Sequence, residues 1–138
     1  MMKKSIPILM AVLVLWSCER PVTEDDKAAP LMERIEQLNE ACQFQQVLDS
    51  IESLRRKYPK AVKARRRALT LWQEASLKIA QDDIGRTDSA LQAVAQQMAR
   101  ETDIYRRNML GVKRDSLQAR YEGLIGTVRV IHKKMEEK

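Results

Sequence analysis

From Leu31 to Met135 the apolar residues of this chain recur every three or four positions, and little else in the sequence competes with that period. Leu31, Ile35, Leu38 and Cys42 form one such series, and Phe44, Val47, Ile51, Leu54 and Tyr58 form the next. Aromatic residues make up only 4% of the chain and Gly and Pro number four each, so neither a sheet nor a loop-rich fold is favoured. Pro59 ends the second helix, directly after the basic turn Arg55-Arg56-Lys57 that suits a helix C-terminus. A third helical stretch runs from Lys60 to about Gln81, with Leu69, Trp72, Ala75 and Ile79 facing inward. Links this short make neighbouring helices antiparallel. The expected class is all-α: an antiparallel helical hairpin followed by long coiled-coil-like helices.

The polar segment Ile79 to Asp88, with Asp82, Asp83 and Gly85, reads as a turn, and Thr87 or Asp88 as the N-cap of the next helix. Leu91, Ala95, Met98, Thr102, Tyr105, Met109 and Val112 then alternate steps of four and three. Leu117, Tyr121, Leu124, Val128, Ile131 and Met135 repeat the alternation in a shifted phase. Gly111 lies at the shift and Asp115 with Gln118 forms a capping pair, so a break near 111–115 or a distorted long helix is expected. The β-branched run Thr127 to His132 has strand character, but a single strand has nothing to pair with, and helix is the better reading. Residues 91–135 either pack back on the hairpin or form a seam with a second copy, a homo-oligomer, or with another protein.

The first residues carry a different signal. Lys3 and Lys4 precede an apolar run from Ile6 to Trp16, interrupted only by Pro7. As a helix that run reaches roughly 16 Å, about half of a ~30 Å hydrocarbon core, which fits a cleaved leader better than a span. It closes Leu15-Trp16-Ser17-Cys18, which resembles the lipobox of bacterial lipoproteins, with Trp16 departing from the usual residue at its position. That resemblance implies cleavage before Cys18 and a covalent lipid on Cys18, with the protein lipid-anchored in the cell envelope, at the outer membrane on either face. An ordinary secretion signal with an incidental cysteine is the alternative. The expected organisation is a signal peptide over 1–17, a flexible tether over 18–30 and a helical domain over 31–138. Within the tether, Glu24, Asp25 and Asp26 either resemble the surface-export signal of Bacteroidota lipoproteins or simply keep a linker solvated.

Leu31, Leu38, Phe44, Val47, Ile51, Leu54 and Pro59 resemble one tetratricopeptide repeat, with Cys42 near the usual glycine and Val47 in place of a small alanine. The string Leu54 to Arg66 and the later Asp88-Ser89-Ala90-Leu91 are similar to segments of an uncharacterised putative lipoprotein family of Bacteroidota. That likeness spans about residues 31–105 and implies an envelope lipoprotein with a helical module, but no activity.

No catalytic constellation is visible. His132 is the only histidine, no serine sits in a nucleophile motif, and Asp82, Asp83 and Asp88 lack the spacing of a calcium loop. The expectation is therefore a non-enzyme without metal, and with no cofactor beyond the covalent lipid on Cys18. With Cys18 acylated, Cys42 has no disulfide partner and reads as a small core residue, with a reactive thiol as the alternative. The net charge is +6, two of which leave with Lys3 and Lys4, so about +4 remains, too little to imply nucleic acid. One cluster stands out. Between Ser53 and Gln73 there is no acid, while Arg55, Arg56, Lys57, Lys60, Lys63, Arg65, Arg66 and Arg67 are all basic. This patch either binds anionic envelope components, such as lipid headgroups or lipopolysaccharide phosphates, or is a solvated face paired with Glu33, Glu36 and Glu40. The leading functional expectation is a structural or protein-interaction module with a partner in the envelope.

Overall fold

The computed structural model describes residues 20–137, and the leader and Cys18 lie outside them. Four helices follow in order: α1 (Glu24–Glu40), α2 (Phe44–Lys57), α3 (Val62–Arg100) and α4 (Ile104–Glu136). No strand occurs among the described residues, and Thr127 to Ile131 is helical.

The helical domain begins well before Leu31. Thr23 and Asp26 form a reciprocal capping box: the Thr23 hydroxyl accepts from the Asp26 N–H at 3.2 Å, and the Asp26 carboxylate accepts from the Thr23 N–H at 2.8 Å. The first turn of α1 therefore starts inside the segment expected to be tether, and Ala28 is fully buried in the core. Pro30 sits within the helix and forfeits one backbone hydrogen bond. Glu24 and Asp25, which bond across to the start of α3, hold the turn against that loss.

Ala28, Met32, Ile35 and Leu38 of α1 meet Val47, Ile51 and Leu54 of α2 and Ala61, Ala64, Ala68 and Ala75 at the start of α3. The alanines allow the two shorter helices to sit close against α3. The turn between α1 and α2 closes as a Schellman motif, with Cys42 donating to the Asn39 carbonyl and Gln43 to that of Leu38. Cys42 occupies its left-handed position at φ 56° and is exposed, not a core residue. It takes the conformation for which glycine is usual, and its side chain consequently points away from the packing.

α3 is one continuous helix of 39 residues, so the turn expected over 79–88 does not form. Its polar residues are used within the helix. Ser89 donates to the Gly85 carbonyl, Gln92 donates to Asp88, and Asp83 pairs with Arg86 and, across the hairpin, with Arg120 at 3.5 Å. Thr87 is buried. The chain reverses instead at 101–103, where the Asp103 carboxylate accepts the Arg106 N–H at 2.8 Å as N-cap of α4. α4 then runs unbroken through Gly111, so the break expected at 111–115 is also absent.

Among the described helices α4 touches α3 alone. Their seam takes Gln73, Ala80, Thr87 and Val94, seven residues apart on α3 and all buried. From α4 it takes Leu117, Tyr121, Leu124, Val128, Ile131 and Met135, the second of the two phased series. The first series is not a seam with α3: Tyr105, Met109 and Val112 are exposed. Leu69 and Trp72, expected inward, are also more than a third exposed, because α2 and α4 flank their side of α3 without meeting over it. Beyond Ala75 only α3 and α4 remain, a two-helix hairpin extending roughly 37 Å past the three-helix core.

Candidate functional site

The base of the molecule is where the helix ends gather. α3 has no side-chain cap of its own. Its N-terminus is instead capped from α1: Asp25 accepts the Ala64 N–H at 2.9 Å, and Glu24 accepts the Lys60 N–H at 2.8 Å. Three consecutive acids thus serve two helix N-termini, where negative charge is favoured. The sequence carries the signal for α1 in its Thr-x-x-Asp spacing. It carries none for the bonds to Lys60 and Ala64, which span 36 and 39 residues.

The eight cations of the predicted patch all lie at this base, but not as one surface. Arg67 reaches α1 and pairs with Glu36 at 2.6 Å. Arg65 donates to the Pro59 carbonyl at 2.7 Å, and Arg56 stands 4.0 Å from Glu52. Arg55 lies over the Trp72 ring, 6.0 Å from its centre, at the outer limit of a cation–π contact. Glu33 and Glu40 pair with none of them among the described residues, and the charges of Lys57, Lys60, Lys63 and Arg66 make no ion pair there.

Val62, Arg65, Arg66, Leu69, Trp72, Gln73 and Ser76 follow at helical spacing along one stripe of α3, on the side away from α1. Arg55, Val62, Arg65, Arg66 and Leu69 line a shallow groove there. It continues past Leu69 and Trp72 into a groove of about 990 Å³, closed on the far side by Gly126, Thr127, Val130 and Ile131 of α4, with Lys134 and Glu137 at its lip. Its walls are mainly apolar. Gln73, only 6% exposed, lies at its floor, and its amide oxygen is buried without a hydrogen-bond partner among the described residues. Periodicity alone places Trp72 inward and gives no hint of this groove.

His132 is exposed on α4, and no group of His, Cys, Asp and Glu suited to a metal occurs among the described residues. No helix of the described residues is long and apolar enough to cross a membrane. Asp26 is held below its ordinary carboxylate value, first by the Thr23 hydroxyl that donates to it at 2.7 Å and then by the Thr23 N–H.

These features define an all-helical protein with a compact three-helix base and a projecting two-helix arm. Neither a protein-family model, nor a curated protein, nor a solved structure matches the chain.

Proposed function

We propose that this protein is a lipid-anchored, non-enzymatic interaction module of the bacterial envelope, of the uncharacterised lipoprotein kind that Leu54 to Arg66 resemble. The lipid is carried on Cys18, the base rests on anionic headgroups, and the arm presents itself to a partner. One observation carries the reading of the base. The chain enters the domain at Thr23 and Glu24, beside Lys60, so a lipid on Cys18 would tether the same end that bears Arg55, Arg65, Arg66 and the half-open Val62, Leu69 and Trp72. A tryptophan and aliphatic side chains ringed by arginines suit the boundary between water and acyl chains.

The test uses residues 18–138 carrying Cys18→Ser, so that no lipid contributes, with vesicles of phosphatidylcholine alone or mixed with phosphatidylglycerol. Binding is expected only to the mixed vesicles and should disappear in high salt. At about 1 kcal/mol per surface cation, Arg65→Gln with Arg66→Gln weakens binding by roughly 30-fold. Equal binding to neutral vesicles, or indifference to the double substitution, would refute the headgroup contact.

A further inference from the structure

α4 has a second apolar stripe over which no other helix of the described residues packs. Its contact with α3 uses Leu117, Tyr121, Leu124, Val128 and Ile131. About a third of a turn round the helix, Tyr105, Met109, Val112, Ser116, Ala119, Gly123, Gly126 and Val130 alternate steps of four and three over 26 residues with no charge among them, and the two ends of this stripe, Tyr105 with Met109 and Gly126 with Val130, form outer walls of the grooves beside α3. In a chain that is 32% charged this stripe is exceptional. Tyr105 is 71%, Met109 53%, Val112 64% and Val130 60% exposed. The five-residue step between Val112 and Leu117 is therefore not a break in one seam. It marks the passage between two faces of the same helix.

The glycines supply an independent observation. Gly123 and Gly126 each weaken a helix interior relative to alanine by about 1 kcal/mol. Neither is needed for packing among the described residues, since a Cβ built at either meets nothing within 4 Å. Gly123 lies open on the stripe and Gly126 at the rim of the groove beside α3, and at both a missing side chain lets another backbone approach.

We infer that this stripe pairs with the same stripe of a second copy, side by side and parallel. The flanking charges choose both the occupant and its direction. One flank carries Asp115 and Glu122 and the other Arg106, Lys113 and Arg120. A parallel pair brings unlike flanks together and sets Asp115 against the second copy's Arg120. An antiparallel pair sets the basic flank against itself. Asp115 holds its neighbour Arg114, and Arg120 stands 3.5 Å from Asp83, yet both side chains are more than half exposed and have room for a further partner. At the C-terminal end Arg129 faces Lys134, a like-charge pair that limits the strength of the union.

Size sets the same limit. A stripe roughly 38 Å long and about 10 Å wide buries on the order of 800 Å² over two copies, short of the ~1,200 Å² of a stable complex. The pairing therefore needs the crowding of a membrane surface, and to that extent it rests on the anchored-module reading.

The experiment is disulfide cross-linking of the full-length protein expressed in bacteria, with Val112→Cys in a Cys42→Ser background. The parallel pair predicts a band of twice the monomer mass that disappears on reduction. Gln118→Cys, on another face of α4, should give none. Adding Gly123→Ala and Gly126→Ala should lower the cross-link yield roughly tenfold, as a methyl forced into a close contact does. The same two changes should raise the melting temperature, because they improve the helix. With the protein in the membrane fraction, no band at Val112→Cys, equal bands at both positions, or a yield untouched by the alanines overturns the pairing. Fractionation of the same cells reports separately on the anchor.

Discussion

Asp25→Ala tests the docking of α1 onto α3, the contact that separates a folded N-terminal turn from a loose tether. The Asp25 carboxylate accepts the Ala64 N–H at 2.9 Å in a partly buried setting, and Ala64 is only 8% exposed. Loss of a capping acceptor typically costs about 1 kcal/mol, and a buried N–H left unpaired costs about 1–3 kcal/mol. The two are the same event seen from either partner, so they are not added; about 1.5 kcal/mol is a reasonable centre. Unfolding entropy near 2.1 cal/mol/K per residue gives a domain of this size roughly 4 °C per kcal/mol, and so a drop in Tm of about 6 °C. Asp25→Asn retains an acceptor oxygen and should lose less than half of that. Glu33→Ala, exposed and unpaired, should lie within about 0.5 kcal/mol of the parent. The assay is thermal unfolding followed by far-UV circular dichroism on residues 18–138 with Cys18→Ser. A melting curve for Asp25→Ala within about 1 °C of the parent would refute the capping of α3 by α1.

Cys42→Gly should stabilise the protein by about 1 kcal/mol, because Cys42 holds a left-handed conformation at φ 56° that costs a side-chain-bearing residue roughly that much; chemical denaturation measures it. Asp26 has a folded pKa below its ordinary 3.8, chiefly through the Thr23 hydroxyl. Its contribution is thus complete above that value and fades as pH falls through the lower, folded one. Asp26→Asn should flatten the acid limb of the stability curve below about pH 4, and a limb identical to the parent's would count against the capping box.

The parts of the fold visible in the sequence are those set by local pattern. Val47, Ile51 and Leu54 at three- and four-residue spacing mark α2, and Pro59 marks its end. Leu117 to Met135 mark the α4 side of the hairpin seam. The hidden parts are those set across the chain. Asp82 to Asp88 looks like a turn because it is polar, yet α4 packs along it and Thr87 is buried in that contact. Glu24, Asp25 and Asp26 look like solvated linker, yet two of them bond to backbone at the start of α3. Leu69 and Trp72 satisfy the helical period, but period alone does not say which apolar face a neighbour covers. The basic patch is legible as a cluster. Its division, with Arg67 drawn to Glu36 while Arg66 makes no ion pair among the described residues, depends on where α1 lands.

The proposed role at a membrane turns on where the mature chain begins and what it carries. Intact-mass spectrometry of the protein extracted with detergent from bacterial membranes addresses this directly. A chain starting at Cys18, heavier than its polypeptide by the mass of acyl glycerol and releasing fatty acid on alkaline hydrolysis, is the predicted result. A chain of bare polypeptide mass, or one that still holds Met1 to Ser17, would contradict the anchor and with it the membrane contact proposed for the base.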